Sequence, residues 1–242
     1  MPEITIGGQK FPKISICVCS TDNVNLEWMM RVYNSLQYDI QPDFHKDMHI
    51  RASNMSIEME RDRLAAESLV DPMVTHIFFI DTDAFPECGN INEALRSLLK
   101  LNLPIVSGHM RIKNKNLDCT MFYRDNIGWK YINKWEKGTK LLKVDGCGAG
   151  CFLIKREVFE KIGRPWFRME ADSICETEDL AFCERAKASG FKVYVDLTTK
   201  FIHSGRFKLW ADGRITSVFE DMESKEEKPV PKRTNKPIKH KR

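Results

Sequence analysis

Thr75-His76-Ile77-Phe78-Phe79-Ile80-Asp81-Thr82-Asp83-Ala84-Phe85-Pro86 decides how this chain is read. The run to Ile80 has the β-branched and aromatic make-up of a strand buried on both faces, and it stops abruptly at two acids. Residues i and i+2 of an extended strand face the same side, so Asp81 and Asp83 can converge on one point at a sheet edge. Two carboxylates there repel each other and raise at least one pKa unless a cation lies between them. Hard oxygen ligands favour Mg²⁺ or Mn²⁺, and such an ion could bridge the protein to a diphosphate. The plainer alternative is a polar strand-to-loop turn whose acids cap the next helix.

Working outward, the sequence predicts a strand over Ile14–Cys19 and a helix through Leu26, Met29, Met30, Tyr33 and Leu36. A weaker strand follows over His45–Ile50. Ile57, Arg61, Leu64, Ala65 and Ser68 then mark one face of a helix that Pro72 closes. The order β-α-β-α-β predicts a parallel sheet covered by helices, which binds ligands outside the carboxyl ends of its strands. Downstream, a helix is expected through Ile91, Ala94, Leu95 and Leu98, and a strand over Pro104–Ser107. Cys119–Tyr123, Trp129–Ile132 and Thr139–Val144 read as short strands of an antiparallel insertion. A strand over Cys151–Ile154 leads into a helix over Arg156–Ile162, stopped by Gly163. A further helix runs from a Thr177 cap to Ser189, and Phe191–Val195 is a strand.

The chain has 242 residues, 42% hydrophobic and 30% charged, which fits an ordinary globular domain with a sizeable core. No apolar run nears the roughly 18 residues that span a bilayer. Met1 to Lys13 carries no apolar signal-like core, so a cytoplasmic, reducing setting is expected. Of the eight cysteines, Cys17, Cys19, Cys151 and Cys183 sit in apolar segments and read as small hydrophobes, and the absence of any CxxC pair argues against structural zinc. The net charge of +4 is uneven: residues 225–242 hold eight Lys and Arg against two Glu, a local +6, which leaves the body at −2. That tail, 224–242, is rich in Lys, Glu and Pro and is expected to be disordered. It lacks interleaved aromatics, and the body is slightly acidic, which argues against a nucleic-acid-binding face on the domain. The tail is a candidate for peripheral contact with an anionic membrane or glycolipid surface.

Five further places could carry chemistry. Arg61 sits on an apolar helix stripe and needs a partner there, either Asp81 or a donor phosphate, unless its stem carries the charge to the surface. Glu176-Thr177-Glu178-Asp179 opens a helix, where the dipole and free N–H groups keep a carboxylate ionised. Such a carboxylate can be a general base, although acidic helix starts are also ordinary. His203 could supply a third metal ligand, and its imidazole suits Mn²⁺ better than Mg²⁺. Gly146-Cys147-Gly148-Ala149-Gly150 is neither a dinucleotide fingerprint nor a P-loop. It is either cleft-lining backbone or a tight bend between strands. Trp166 and Phe167 could stack on a sugar or belong to the core.

Taken in order, these segments resemble the GT-A nucleotide-diphospho-sugar glycosyltransferases, near the compact family-2-like enzymes. Arg61-Asp62-Arg63-Leu64-Ala65 is similar to the family's Arg-Asn-x-Leu helix, and Thr75 to Pro86 to its DxD strand and turn. Gly148 to Phe159 resembles its acceptor-side segment, Glu178-Asp179-Leu-Ala-Phe-Cys183 its Glu-Asp helix, and His203-Ser-Gly205 its closing metal histidine. The matches run from about residue 14 to 206. Asp62 stands where the family has Asn, and Ser20-Thr-Asp22 lacks the opening motif of many family-2 enzymes.

The resemblance implies one Rossmann-like GT-A domain over 1–223: a mostly parallel sheet flanked by helices, with a small antiparallel insertion. Its nucleotide-binding half would cover about 14–108 and its acceptor half about 109–210. It implies Mn²⁺ or Mg²⁺ held by Asp81, Asp83 and His203, with Thr21, Arg61, Asp81 and Asp83 on the donor. Gly148, Gly150 and Trp166 would border the acceptor, a hydroxyl of a glycan, glycolipid or protein. Asp179, beside Glu178, would be the base of an inverting displacement. A nucleotidyltransferase of related fold, or a nucleic-acid- or membrane-binding protein acting through the tail, are the competing readings.

Overall fold

The apolar run that ends in two acids is a strand in the middle of a sheet. The computed structural model describes residues 4–6, 9–20, 26–37, 43–52, 55–169, 177–204 and 207–217. Thr21 and the basic tail lie outside the described residues. In chain order come β1 (Ile4–Ile6), β2 (Gln9–Phe11), β3 (Lys13–Ser20) and α1 (Leu26–Trp28), which continues through a π-turn, Met29–Tyr33, into α2 (Asn34–Gln37). Then follow β4 (His45–Ala52), α3 (Ile57–Val70), β5 (Val74–Asp81), β6 (Ala84–Pro86), α4 (Ile91–Lys100) and β7 (Ile105–His109). The middle holds β8 (Met121–Arg124), β9 (Trp129–Tyr131), β10 (Leu141–Val144), β11 (Gly146–Cys147) and β12 (Cys151–Lys155). The last part holds α5 (Arg156–Ile162), α6 (Glu178–Ala188), β13 (Val193–His203), β14 (Phe207–Leu209) and β15 (Ile215–Ser217).

The main sheet runs β15-β14-β13-β7-β12-β5-β3-β4, with β6 and β10 also paired to β13. β3 is parallel to both β4 and β5, with Cys17 opposite His49 and Phe79. β12 is antiparallel to β5 and β7, and β7 is parallel to β13. Thus β3, β4, β5, β7 and β13 all run one way, and their carboxyl ends share one edge. The sheet is mixed, mostly parallel and flanked by helices, and a separate antiparallel sheet of order β11-β8-β9 stands beside it.

Alternation along the strands splits the core into two layers, one on each sheet face. From β3, Ile14, Ile16 and Val18 pack with Trp28, Val32, Leu36, Leu95 and Leu98. Cys17 and Cys19 pack the other way, with Leu64, Ala65, Phe159 and Phe182. β5 divides likewise, Phe78 and Ile80 against Ile77 and Phe79. The crossover from β3 to β4 therefore covers one face and α3 the other. This places a crevice outside the carboxyl end of β3, where open α/β sheets take ligands. An aromatic cluster anchors the α3 side: Phe167 stacks on Phe182 at 4.8 Å and meets Phe79 edge-on at 5.1 Å.

Some expectations change in detail. The segment expected as a strand over 139–144 is β10, but it pairs with β13 of the main sheet and not with the insertion. The strand expected at 191–195 runs on to His203. The short strands β1, β2, β6, β14 and β15 carry too few residues to show a period. All seven described cysteines are free, and six of them are buried. No described helix is long and apolar enough to cross a membrane.

Candidate functional site

Three strand ends and one helix start meet in a cleft of about 510 Å³. Cys19 and Ser20 come from β3, Asp81 from β5, His203 from β13, and Glu178 and Asp179 from the first turn of α6. Arg61 and Glu60 come from α3, and Thr82 and Asp83 from the turn after β5. The volume is that of a pocket for a small organic ligand. Among the described lining residues there are five carboxylates, Glu60, Asp81, Asp83, Glu178 and Asp179, against the single guanidinium of Arg61 and the imidazole of His203. An anionic ligand entering such a site needs added positive charge.

Arg61 lies beneath the acids. Its residue exposure is only 3%. Nη2 donates to Asp81 Oδ1 at 2.9 Å, and Nη1 stands 3.2 Å from Glu178 Oε1. Burial opposes the guanidinium charge most strongly, but Asp81, Glu178 and Asp179 together outweigh it and hold its pKa above the ordinary value. The helix stripe that seemed to need a partner has two, so Arg61 ties β5 to α6 by charge. Burial likewise pushes Asp81 up; Arg61 opposes this, Asp83 and Asp179 reinforce it, and the carboxyl stays above its usual range. Glu178 is raised for the same reasons, burial first, with Arg61 opposing and Asp179 adding to it.

Asp83 has partners of its own. Right after it, β6 adds antiparallel to β13 with Ala84 opposite His203, and Ser204 N donates to Asp83 O at 2.6 Å. This seats Asp83 Oδ2 at 3.1 Å from His203 Nε2. Lys113 Nζ donates to the same oxygen at 2.7 Å. Burial pushes the Asp83 carboxyl up, but His203 and Lys113 outweigh it and draw it down to about 2. The other imidazole nitrogen, Nδ1, is 2.9 Å from Arg111 O and can only donate there. Nε2 then faces a carboxylate oxygen either with a second ring proton or with a cation shared between the two atoms.

The 3.1 Å spacing is that of a hydrogen bond, and it is also compatible with a shared ion. Two ligands about 2.1 Å from one ion and at right angles lie about 3.0 Å apart. A carboxylate oxygen with an imidazole nitrogen is also a donor pair that suits Mn²⁺. Asp81 is engaged by Arg61, and no group of three or more His, Cys, Asp or Glu side chains surrounds a single point among the described residues. The two acids of the motif thus take different partners, Asp81 with Arg61 and Asp83 with His203 and Lys113, while all three of Asp81, Asp83 and His203 line the same cleft.

Asp179 is held from two sides. Oδ1 accepts from Leu180 N at 2.8 Å and from the Thr177 hydroxyl, and Oδ2 accepts from Ala149 N at 3.3 Å. A Cβ on Gly148 would lie 3.6 Å from Asp179 Oδ2, and one on Gly150 would lie 3.0 Å from Asp81 Oδ2 and 2.6 Å from Met110 Cε. Gly150 thus leaves room for Asp81 and Met110, while the tight neighbour of Gly148 is Thr120, whose Cβ a Cβ there would meet at 3.2 Å. Both glycines are buried. Their evident role is close packing under the site.

Trp166 is a core residue in this structure. It is buried, its Nε1 donates to Phe159 O at 2.8 Å, and its ring meets Phe159 edge-on at 5.5 Å. Asp62, where the resembling family has Asn, holds this segment in place: Oδ1 accepts from Trp166 N at 2.8 Å and Phe167 N at 2.9 Å. An Asn oxygen can accept the same two bonds. Asp62→Asn is therefore expected to fold with a loss of about 1 kcal/mol or less. Asp62→Ala leaves two buried N–H groups unmatched and is expected to cost about 3 kcal/mol, or roughly 6–12 °C of melting temperature. Thermal melts of the two variants check this.

Lys113 was not foreseen. It comes from the loop after β7, thirty residues from Asp83, and its only sequence signal is the alternation Arg111-Ile112-Lys113 just past a strand end.

No family model and no curated protein matches the sequence. Solved structures do match in shape. One is A197 from STIV, with a TM-score of 0.60 and 20% identity over 90% of this chain and 98% of that one. Another is GalNAc-T7 solved with UDP, GalNAc and Mn²⁺, at a TM-score of 0.46 and 10% identity, covering 77% of this chain and 42% of that one. The likeness to A197 extends over nearly the whole of both chains and concerns the fold.

Proposed function

We propose that the cleft binds a nucleoside-diphosphate sugar and transfers its sugar to an acceptor hydroxyl. The observation that carries this reading is the surplus of carboxylates in the cleft that β5, the turn after it, α3 and α6 line, with Asp83 paired to an imidazole whose other nitrogen is fixed by a backbone carbonyl. A diphosphate cannot approach that surplus alone. Asp83 and His203 would hold a divalent cation, which when bound would neutralise the charge of the leaving diphosphate. Arg61 opposes the upward pKa shift of Asp81 and Glu178 and orients both. Asp179, held at the start of α6 by backbone N–H groups and the Thr177 hydroxyl, would accept the acceptor's proton. The sugar's anomeric bond to the diphosphate would break as the bond to the acceptor oxygen forms.

The discriminating experiment is product analysis. The protein is incubated with Mn²⁺, a panel of nucleotide sugars and simple sugar acceptors. Release of a nucleoside diphosphate together with a glycosylated acceptor supports the proposal. Pyrophosphate release from a nucleoside triphosphate and a sugar phosphate would instead identify a nucleotidyltransferase and overturn it.

A further inference from the structure

We propose that Lys113 is a tethered counter-cation of Asp83 that competes with the divalent ion for this carboxylate and is drawn off it by the donor's diphosphate. The inference rests on the reading of Asp83 and His203 as a cation-binding pair. The Lys113 ammonium donates to Asp83 Oδ2, the oxygen that also faces His203 Nε2, and to the Ser204 carbonyl. One oxygen thus serves both the ammonium and the imidazole, and it is the oxygen an ion bound between Asp83 and His203 would need.

The loop that delivers Lys113 is braced. Arg111 Nε donates to Ala211 O at 2.8 Å, and its Nη1 donates to Leu117 O at 2.7 Å. Asn114 Nδ2 donates to Asp118 Oδ2 at 2.7 Å. Only the flexible lysine stem has to move to free Asp83, since 36% of the Lys113 side chain is open to solvent. An ion pair this exposed is weak, so its loss costs little. A divalent ion beside a fixed ammonium would be repelled, whereas a diphosphate offers that ammonium new oxygen partners. Metal and donor should therefore bind together more readily than metal alone.

The test is a titration of the full chain with Mn²⁺, followed by the loss of the free-ion electron paramagnetic resonance signal. Wild type is compared with Lys113→Met and Lys113→Arg, and circular dichroism melts verify folding. Lys113→Met is expected to bind Mn²⁺ about two- to fivefold more tightly than wild type. Lys113→Arg, which keeps the charge, is expected to stay close to wild type. Adding a nucleoside diphosphate should tighten Mn²⁺ binding more in wild type than in Lys113→Met. Equal Mn²⁺ affinity in all three proteins would overturn the role of Lys113 while leaving the cation site standing. Equal tightening in Lys113→Met and Lys113→Arg would also overturn it, because charge would then not be the cause. No Mn²⁺ binding by any of them, with or without nucleotide, would overturn both this inference and the cation site.

Discussion

Asp179→Asn is expected to leave the fold and donor binding intact and to lower sugar transfer by about 10²–10⁴-fold. Asn keeps an oxygen for Leu180 N, which Asp179 Oδ1 meets at 2.8 Å, so the start of α6 should hold. What Asn lacks is the ability to take a proton. The effect should appear in kcat and hardly in the donor's KM, because the lost step belongs to the transition state. Steady-state kinetics with a nucleotide sugar and an acceptor separates the two. Transfer at the wild-type rate would remove Asp179 as the base.

Arg61→Met is expected to be the most destabilising substitution around the cleft. The buried guanidinium offsets Asp81 and Glu178 together, and removing one partner of such a cluster leaves uncompensated charge. About 3 kcal/mol or more should be lost near neutral pH; about a third of the Asp81 side chain remains open, which keeps the figure to the lower end of the range for buried pairs. The pH dependence has a definite sign. Glu178 and Asp81 already have pKa values above their ordinary range in the folded state, and Arg61 is what opposes the rise. Without it they rise further, and groups raised on folding favour the folded state at low pH and lose that advantage as pH climbs through the folded value. The deficit of the variant should therefore shrink between about pH 7.5 and about pH 5. Denaturant unfolding at both pH values measures it. A deficit that stays constant or grows on acidification would show that the pairing is not what Arg61 contributes.

Much of this fold was legible because buried parallel strands leave a strong mark. Ile14–Cys19 and His76–Ile80 are apolar on both faces, and the structure extends each by only a few residues. The Arg156–Ile162 helix ends at Gly163, whose φ of 72° suits glycine. The site was readable only as far as its residues lay in or beside such elements. Arg61 stood out because a charge on an apolar stripe needs a partner, and it has Asp81. The i, i+2 rule says nothing of the partners of Asp83, because the chain leaves β5 at Asp81 and Asp83 sits in a turn whose course is set by β6 pairing with β13. That pairing joins residues more than a hundred positions apart and has no local signature. Lys113 was invisible for the same reason. Trp166 was ambiguous until its Nε1 was seen bonded to Phe159 O within the aromatic cluster.

The central claim is that Asp83 and its neighbours bind a nucleoside diphosphate together with a divalent cation. Thermal melts of wild type and Asp83→Ala with each nucleoside diphosphate, with and without Mn²⁺, test it most directly. One nucleotide should stabilise wild type by about 2.7 kcal/mol at a hundred times its Kd, and only when Mn²⁺ is present. Asp83→Ala should fold and show no such shift. A shift of equal size without Mn²⁺ or in Asp83→Ala, or no shift with any nucleotide, would contradict the account.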